Sequence, residues 1–112
     1  MTYSQGDLIG IPFPFSDMST KKNRPVLVIT TPDQRGDFMC LAITSVPTVQ
    51  DAISIDNTIM ASGTLPKKSW IRYDKLFTLN TSAVIKCYGS IAEKIFRQVV
   101  GELCKFIGCN EI

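Results

Sequence analysis

For its first four fifths the chain alternates short apolar, β-branched runs with clusters of turn residues; then its period changes. "DLIGIPF" (7–13) and "RPVLVIT" (24–30) read as strands, because valine and isoleucine fit a pleated, half-buried surface. Pro12 and Pro14 are expected to block regular pairing, so 12–23 reads as a long connection. "TPDQRGD" (31–37) is turn chemistry, which makes 24–30 and 38–45 an antiparallel hairpin. "FMCLAITSV" (38–46) is almost continuously apolar, as a strand buried on both faces would be. "AISI" (52–55) reads as a short strand, 57–68 as loop, and "SWIRYDKLFTL" (69–79) and "SAVIKCYG" (82–89) as further strands.

From residue 90 the spacing is helical. "SIAEKIFRQVVGELCKFIG" (90–108) sets Ile91, Ile95, Val99, Leu103 and Phe106 on one stripe, joined by Phe96, Val100 and Ile107. Ser90 with Glu93 has the spacing of a capping box, and Gly108 suits a left-handed helix end. Gly101 weakens the middle and would permit a close contact there. The expected fold is mainly β (α+β): a small antiparallel barrel or sheet with one C-terminal helix. Strands this close together leave no room for the crossovers of a parallel sheet.

Length fits one domain, 1–112, with one core. No apolar run approaches the roughly 18 residues of a membrane span, and "MTYSQGD" lacks the basic-then-apolar pattern of a signal peptide. A cytoplasmic address with no membrane partner is therefore expected. The net charge of +2 does not by itself demand nucleic acid. Its distribution is more informative: basic residues gather at 21–24 and 67–75, whereas Glu93, Glu102 and Glu111 lie near the end. Cys40, Cys87, Cys104 and Cys109 form no short-spaced metal motif and read as free thiols, Cys40 and Cys87 within apolar runs. The chain has no histidine. That excludes Ser-His-Asp, Cys-His and paired-histidine catalysis and leaves Arg, Lys, Asp, Glu, Tyr, Ser and Thr.

Arg24 opens one central strand, and Thr44 and Ser45 close its hairpin partner. In an antiparallel pair the start of one strand lies beside the end of the next. Arg24 is thus expected to meet Thr44 and Ser45 at one sheet edge, beneath the 12–23 connection. A guanidinium offers planar paired donors to phosphate oxygens, and hydroxyls add more. Spacing alone favours the plainer reading of a surface arginine in an ion pair and a turn-forming Thr-Ser.

The segments "GDLIGIPFPFSD", "KKNRPVLVIT" and "LAITS", followed by "SWIRYDKLFTL" and "IKCYGSI", resemble the MazF/PemK family of bacterial toxins, from Gly6 to the final helix. The resemblance implies an SH3-like barrel that forms a homodimer, with RNA lying across the dimer surface. It implies metal-independent, cofactor-free cleavage of single-stranded RNA, chiefly mRNA, by a type II toxin. It also implies a cognate antitoxin whose tail fills the RNA site, and operator DNA reached only through that antitoxin. Arg24 and Thr44 fall on the family's catalytic pair, with Ser45 the adjacent hydroxyl. The family's substrate-flanking loop falls on 13–23, which places Phe13, Phe15, Lys21 and Lys22 beside the RNA. Lys21, Lys22 and Asn23 stand where some members carry an acidic residue, and "PFPFSD" and "SWIRYDK" look PemK-like.

The expected reaction is attack by the ribose 2′-hydroxyl on the adjacent phosphorus, leaving a cyclic phosphate and a 5′-hydroxyl. Arg24 would neutralise charge on the phosphate, because a guanidinium keeps its protons and is no proton acceptor. Thr44 would orient the phosphate, with Ser45 assisting. Lys67, Lys68 and Arg72 suit the RNA backbone, and Trp70 or Tyr73 a stacked base. For Trp70 the pattern favours alternation into the core, and Phe13 with Phe15 read either as a loop anchor for RNA or as a barrel plug. Asp17 and Asp74 are candidate acid or base partners. Two rivals have distinct signs: a CcdB-like gyrase poison would trap DNA breaks, and a silent barrel would bind RNA or antitoxin without cutting.

Overall fold

Alternate residues of the apolar runs belong to two separate cores, one on each face of a single curled sheet. The computed structural model describes residues 3–14 and 21–109, with Phe13, Pro14, Lys21 and Lys22 in backbone only. The strands are β1 (Asp7–Pro14), β2 (Lys21–Val28), β3 (Asp37–Thr44), β4 (Ala52–Ile55), β5 (Met60–Gly63), β6 (Ser69–Asn80) and β7 (Lys86–Ile91). They form one seven-stranded half-barrel in the order β4-β6-β3-β2-β1-β7-β5, every pairing antiparallel. The helix α1 (Glu93–Phe106) follows, so the mainly-β fold with one C-terminal helix is as expected.

Leu8, Leu27, Leu41, Ile43 and Ile71 line the face that α1 covers with Val99 and Leu103. Ile9, Ile11, Val26, Val28, Phe38 and Cys40 occupy the other face. Because side chains change face at every residue, a single apolar run can feed both cores. At the end of α1, the Phe106 ring meets Tyr73 edge-on with centroids 6.0 Å apart.

The hairpin between β2 and β3 turns where expected. The Arg35 and Asp37 amides both donate to Asp33 Oδ1 at 2.9 Å, and Gly36 takes a φ of 86°. These amide bonds, led by that from Asp37, hold the Asp33 carboxyl below its ordinary pKa.

The proline-rich segment departs from expectation, since β1 runs through Pro12 to Pro14 and β2 starts at Lys21. The reason is parity. The Gly10 carbonyl accepts from the Ile85 amide, on the side away from β2. Pro12 and Pro14 share Gly10's parity and turn their nitrogens the same way, where β1 pairs with β7 only as far as Gly10. The missing amide protons therefore cost no ladder bond.

The stretch 57–68, read as loop, contains β5, which pairs with β7 across Gly63 and Gly89. These glycines have φ of 74° and 140°, and a Cβ on either would lie 1.9 Å from the Tyr88 carbonyl or 2.1 Å from that of Ser62. Only glycine permits so close an approach. Residues 82–85 fall outside β7, because Asn80 Oδ1 accepts from the Ser82 amide and starts a 3₁₀ turn at Thr81–Ala83.

The helix start is also corrected. Ser90 and Ile91 remain in β7, Ser90 Oγ lies 3.0 Å from Ser62 Oγ, and Ala92 precedes the helix without a side-chain cap. The far end is as read. Gly108 has a φ of 85°, its amide reaches the Lys105 carbonyl, and the Cys109 amide reaches that of Cys104 at 2.7 Å. Gly101 faces open space and makes no close contact.

All four cysteines are free thiols. Cys40 is buried, which pushes its pKa up to about 12. Cys87 is exposed despite its apolar run, because it sits in the uncovered first half of β7, one strand from the sheet edge.

Two outcomes follow from this packing. Gly63→Ala or Gly89→Ala should lower stability by at least about 3 kcal/mol in chemical denaturation, since the new methyl overlaps backbone that cannot move aside. With iodoacetamide, Cys87 should label in the folded protein and Cys40 only on unfolding; equal rates would contradict the assigned burial.

Candidate active site

The site begins with a missing hydrogen bond. The Ile29 amide donates to the Met39 carbonyl at 2.8 Å, so residues of the same parity in β2, Leu27 and Pro25, also point toward β3. Leu27 pairs with Leu41, and the next such partner for Pro25 would be Ile43. Proline has no amide proton to give it. The described β2·β3 register ends at Val26↔Ala42, a pairing that can use the Pro25 carbonyl but not its nitrogen.

Continuing that register by two residues sets Arg24 opposite Thr44. Both belong to the face of Val26, Ile11 and Cys40, away from α1. Arg24 is half-buried with its Nε shielded from solvent, so the stem is held while the residue stays partly open to the surface. Thr44 is half-buried, and its Oγ1 accepts from the Val46 amide at 3.1 Å. That bond makes the turn expected of a Thr-Ser pair and still leaves the hydroxyl its proton to donate. The two readings of Thr44 are therefore compatible.

Trp70 is the β6 partner of Thr44, and Ser54 is the β4 partner of Trp70. Ser54, Trp70, Thr44 and Arg24 thus form one row across β4, β6, β3 and β2. Trp70 is half-buried, with Lys68 Nζ 6.0 Å from its ring centroid, so it stands neither wholly in the core nor free of the sheet. Arg72 occupies the neighbouring row, opposite Ala42. Its Nε and Nη2 bind Asp74 Oδ1 and Oδ2 at 3.2 and 2.9 Å. The fork joins residues two apart on one strand face, beside a bulge in β6 where Leu41 pairs with Leu76 but Ala42 pairs with Arg72. No sequence signal marks the bulge, and the fork ties up the carboxylate that was a candidate acid or base.

Ser45 lies on the opposite face from Thr44. One residue further along, it turns to the α1 side with Asn23 and Pro25, where a cavity of about 200 Å³ opens. Arg24, Ser45 and Lys67 line it together with Asn23, Pro25, Leu65, Pro66, Ser69 and Tyr88. Asn23 and Tyr88 were not read as site residues. The only hint was that Asn23 directly precedes Arg-Pro. Lys67 and Lys68 are exposed. Phe15 and Asp17 lie outside the described residues, as do the side chains of Phe13, Lys21 and Lys22. Among the described residues no three His, Cys, Asp or Glu side chains gather as a metal site would need.

A family model described as PemK-like, MazF-like toxin of type II toxin-antitoxin system matches residues 4–107. No curated protein sequence matches the chain. The fold is similar to that of a MazE-MazF complex from Deinococcus radiodurans, with a TM-score of 0.74, 17% identity, and 96% of this chain and 98% of that one covered. It is similar also to an endoribonuclease in complex with its cognate antitoxin from Mycobacterial species, at TM-score 0.73, 11% identity, and 98% and 99% coverage. The Mycobacterium tuberculosis toxin MazF-mt6 aligns at TM-score 0.67 and 13% identity, over 92% of this chain and 99% of that one.

Replacing Pro25 by Ala should supply the absent donor toward Ile43 and extend the β2·β3 ladder by one pair. Hydrogen exchange at amide 25 reads this directly, with strong protection expected. Exchange at the rate of an open loop would mean that something other than the proline ends the ladder.

Proposed function

Since the chain belongs to the PemK-like, MazF-like toxins of type II toxin–antitoxin systems, we propose that it is an endoribonuclease that cuts single-stranded RNA without a metal ion. The observation that supports this reading is the placement of Arg24 and Thr44 on one face, opposite each other when the β2·β3 register is continued past Pro25. A phosphodiester laid across these strand ends receives the guanidinium from one side and the Thr44 hydroxyl from the other.

The ribose 2′-oxygen attacks the adjacent phosphorus and the 5′-oxygen of the next nucleotide leaves, giving a 2′,3′-cyclic phosphate and a 5′-hydroxyl. The substrate supplies the nucleophile, so the protein has to position the phosphate and stabilise charge. Arg24 neutralises the negative charge that grows on the non-bridging oxygens. Partial burial strengthens that interaction, because less water screens it. Thr44 Oγ1, already oriented by the Val46 amide, donates to the same phosphate. Ser45 lies on the other face and contacts a neighbouring part of the RNA.

Lys67, Lys68 and Arg72 track the RNA backbone, and Trp70, in the row of Thr44, offers a ring to a base. Phe13, Phe15, Lys21 and Lys22 flank the strand from the β1–β2 side. The working form is a cytoplasmic homodimer, and its partner is a cognate antitoxin that occupies the RNA site and links the toxin to operator DNA. The antitoxin complexes among the similar structures support that partner.

Purified protein incubated with long single-stranded RNA in EDTA should yield fragments with 5′-hydroxyl ends. Arg24→Ala should cut about 10²–10³-fold more slowly, the usual effect of losing one donor to a developing oxyanion, with its denaturation midpoint little changed. Wild-type rates in that variant would remove Arg24 from the mechanism, and cleavage abolished by EDTA would remove the metal-free route.

A further inference from the structure

The turn that ends α1 brings two cysteines together. Gly108, at a φ of 85°, reverses the chain. Two bonds close the turn: the Gly108 amide donates to the Lys105 carbonyl at 3.2 Å, and the Cys109 amide to the Cys104 carbonyl at 2.7 Å. In a helix end of this form the two residues joined by the outer bond pack side chain to side chain across the glycine, and both are ordinarily apolar. Here both are cysteines. The 2.7 Å bond keeps their Cα atoms at most about 6.6 Å apart, within the roughly 4.4–6.8 Å that a disulfide spans.

The two thiols differ in setting, since Cys109 is exposed and Cys104 half-buried. Hydrogen bonding with the Cys109 thiol, followed by burial, raises the Cys104 pKa. The Cys40 and Cys87 thiols instead face the carbonyls of Phe77 and Gly89, at 3.6 and 3.8 Å.

We propose that Cys104 and Cys109 form a reversible oxidation site, which a hydroperoxide converts to an intramolecular disulfide across the Gly108 turn. This site is independent of RNA cleavage and of the residues assigned to it. Cys109, the exposed partner, reacts first. Its thiolate sulfur attacks one peroxide oxygen, the O–O bond breaks, and the departing oxyanion takes up the proton that Cys109 had lost, leaving a sulfenic acid. The Cys104 sulfur then attacks the Cys109 sulfur. The S–S bond forms, the S–O bond breaks, and the hydroxide leaves as water with the Cys104 proton. The two thiols have given up two electrons and two protons, and the hydroperoxide has become an alcohol (water, from hydrogen peroxide) and one further water. A dithiol reverses the bridge by thiol–disulfide exchange. The bridge ties down the end of α1, where Phe106 meets Tyr73 and where helices otherwise fray.

The test adds stoichiometric hydrogen peroxide to the folded chain carrying Cys87→Ser, which removes the other exposed thiol. The intact mass should fall by about 2 Da, two hydrogens, with the protein still a single chain without reductant, and dithiothreitol should restore it. Trypsin cuts after Arg97 and Lys105, so segments 98–105 and 106–112 should be recovered as one linked species. Adding Cys104→Ser should stop the reaction at the sulfenic acid, about 16 Da heavier and captured by dimedone. Adding Cys109→Ser should remove the 2 Da loss. Thiols that stay free, a Cys109 that oxidises further without bridging, links only between molecules, or a bridge that forms only in denaturant would each overturn the proposal.

Discussion

Pro25 has no amide proton at the one position in β2 where the next bond to β3 would form, and the described register stops at the pair before it. An ordinary residue there would add one more bond, to the Ile43 carbonyl. Both strands stay anchored in the sheet through Val26, Leu27 and Val28. Arg24 and Thr44 lie on one face of these strand ends, and the cavity opens on the other. Rigid backbone thus presents a charged group and a hydroxyl at fixed spacing, which lowers the cost of ordering them when an anion arrives.

The strict alternation of strand side chains decides what each face presents. Successive residues in β2 face opposite ways, so Arg24 and Asn23 adjoin in the chain and lie on different faces of the sheet. Ser45 follows the same rule. It is next to Thr44 in the chain and on the other side of the sheet in space.

The local devices were legible because their causes are local. The Asp33 turn, the strands at 24–30 and 38–45, and the left-handed Gly108 helix end each follow from a few consecutive residues. That Arg24 and Thr44 share one face of the sheet was legible too, since a hairpin register needs only a turn and two strands. Less visible was everything set by a distant partner. β5 exists because Gly63 meets Gly89 across the sheet, and Ser90 stays out of the helix because β5 holds it in β7. The bulge in β6 beside Arg72 and Asp74 is defined only by the pairing of β6 with β3.

From the order of residues alone came the fold class, the family resemblance, the absence of histidine chemistry, and a cation and hydroxyl at paired strand ends. Folding decided which face each side chain occupies, that two prolines could lie within β1, and that Asn23 and Tyr88 line one cavity with Ser45. The physical reason is range. Propensity, turn chemistry and hairpin register act over a dozen residues, whereas Asn23, Ser45 and Tyr88 come from β2, the end of β3 and β7, and meet only once hydrogen bonds and packing have closed the sheet.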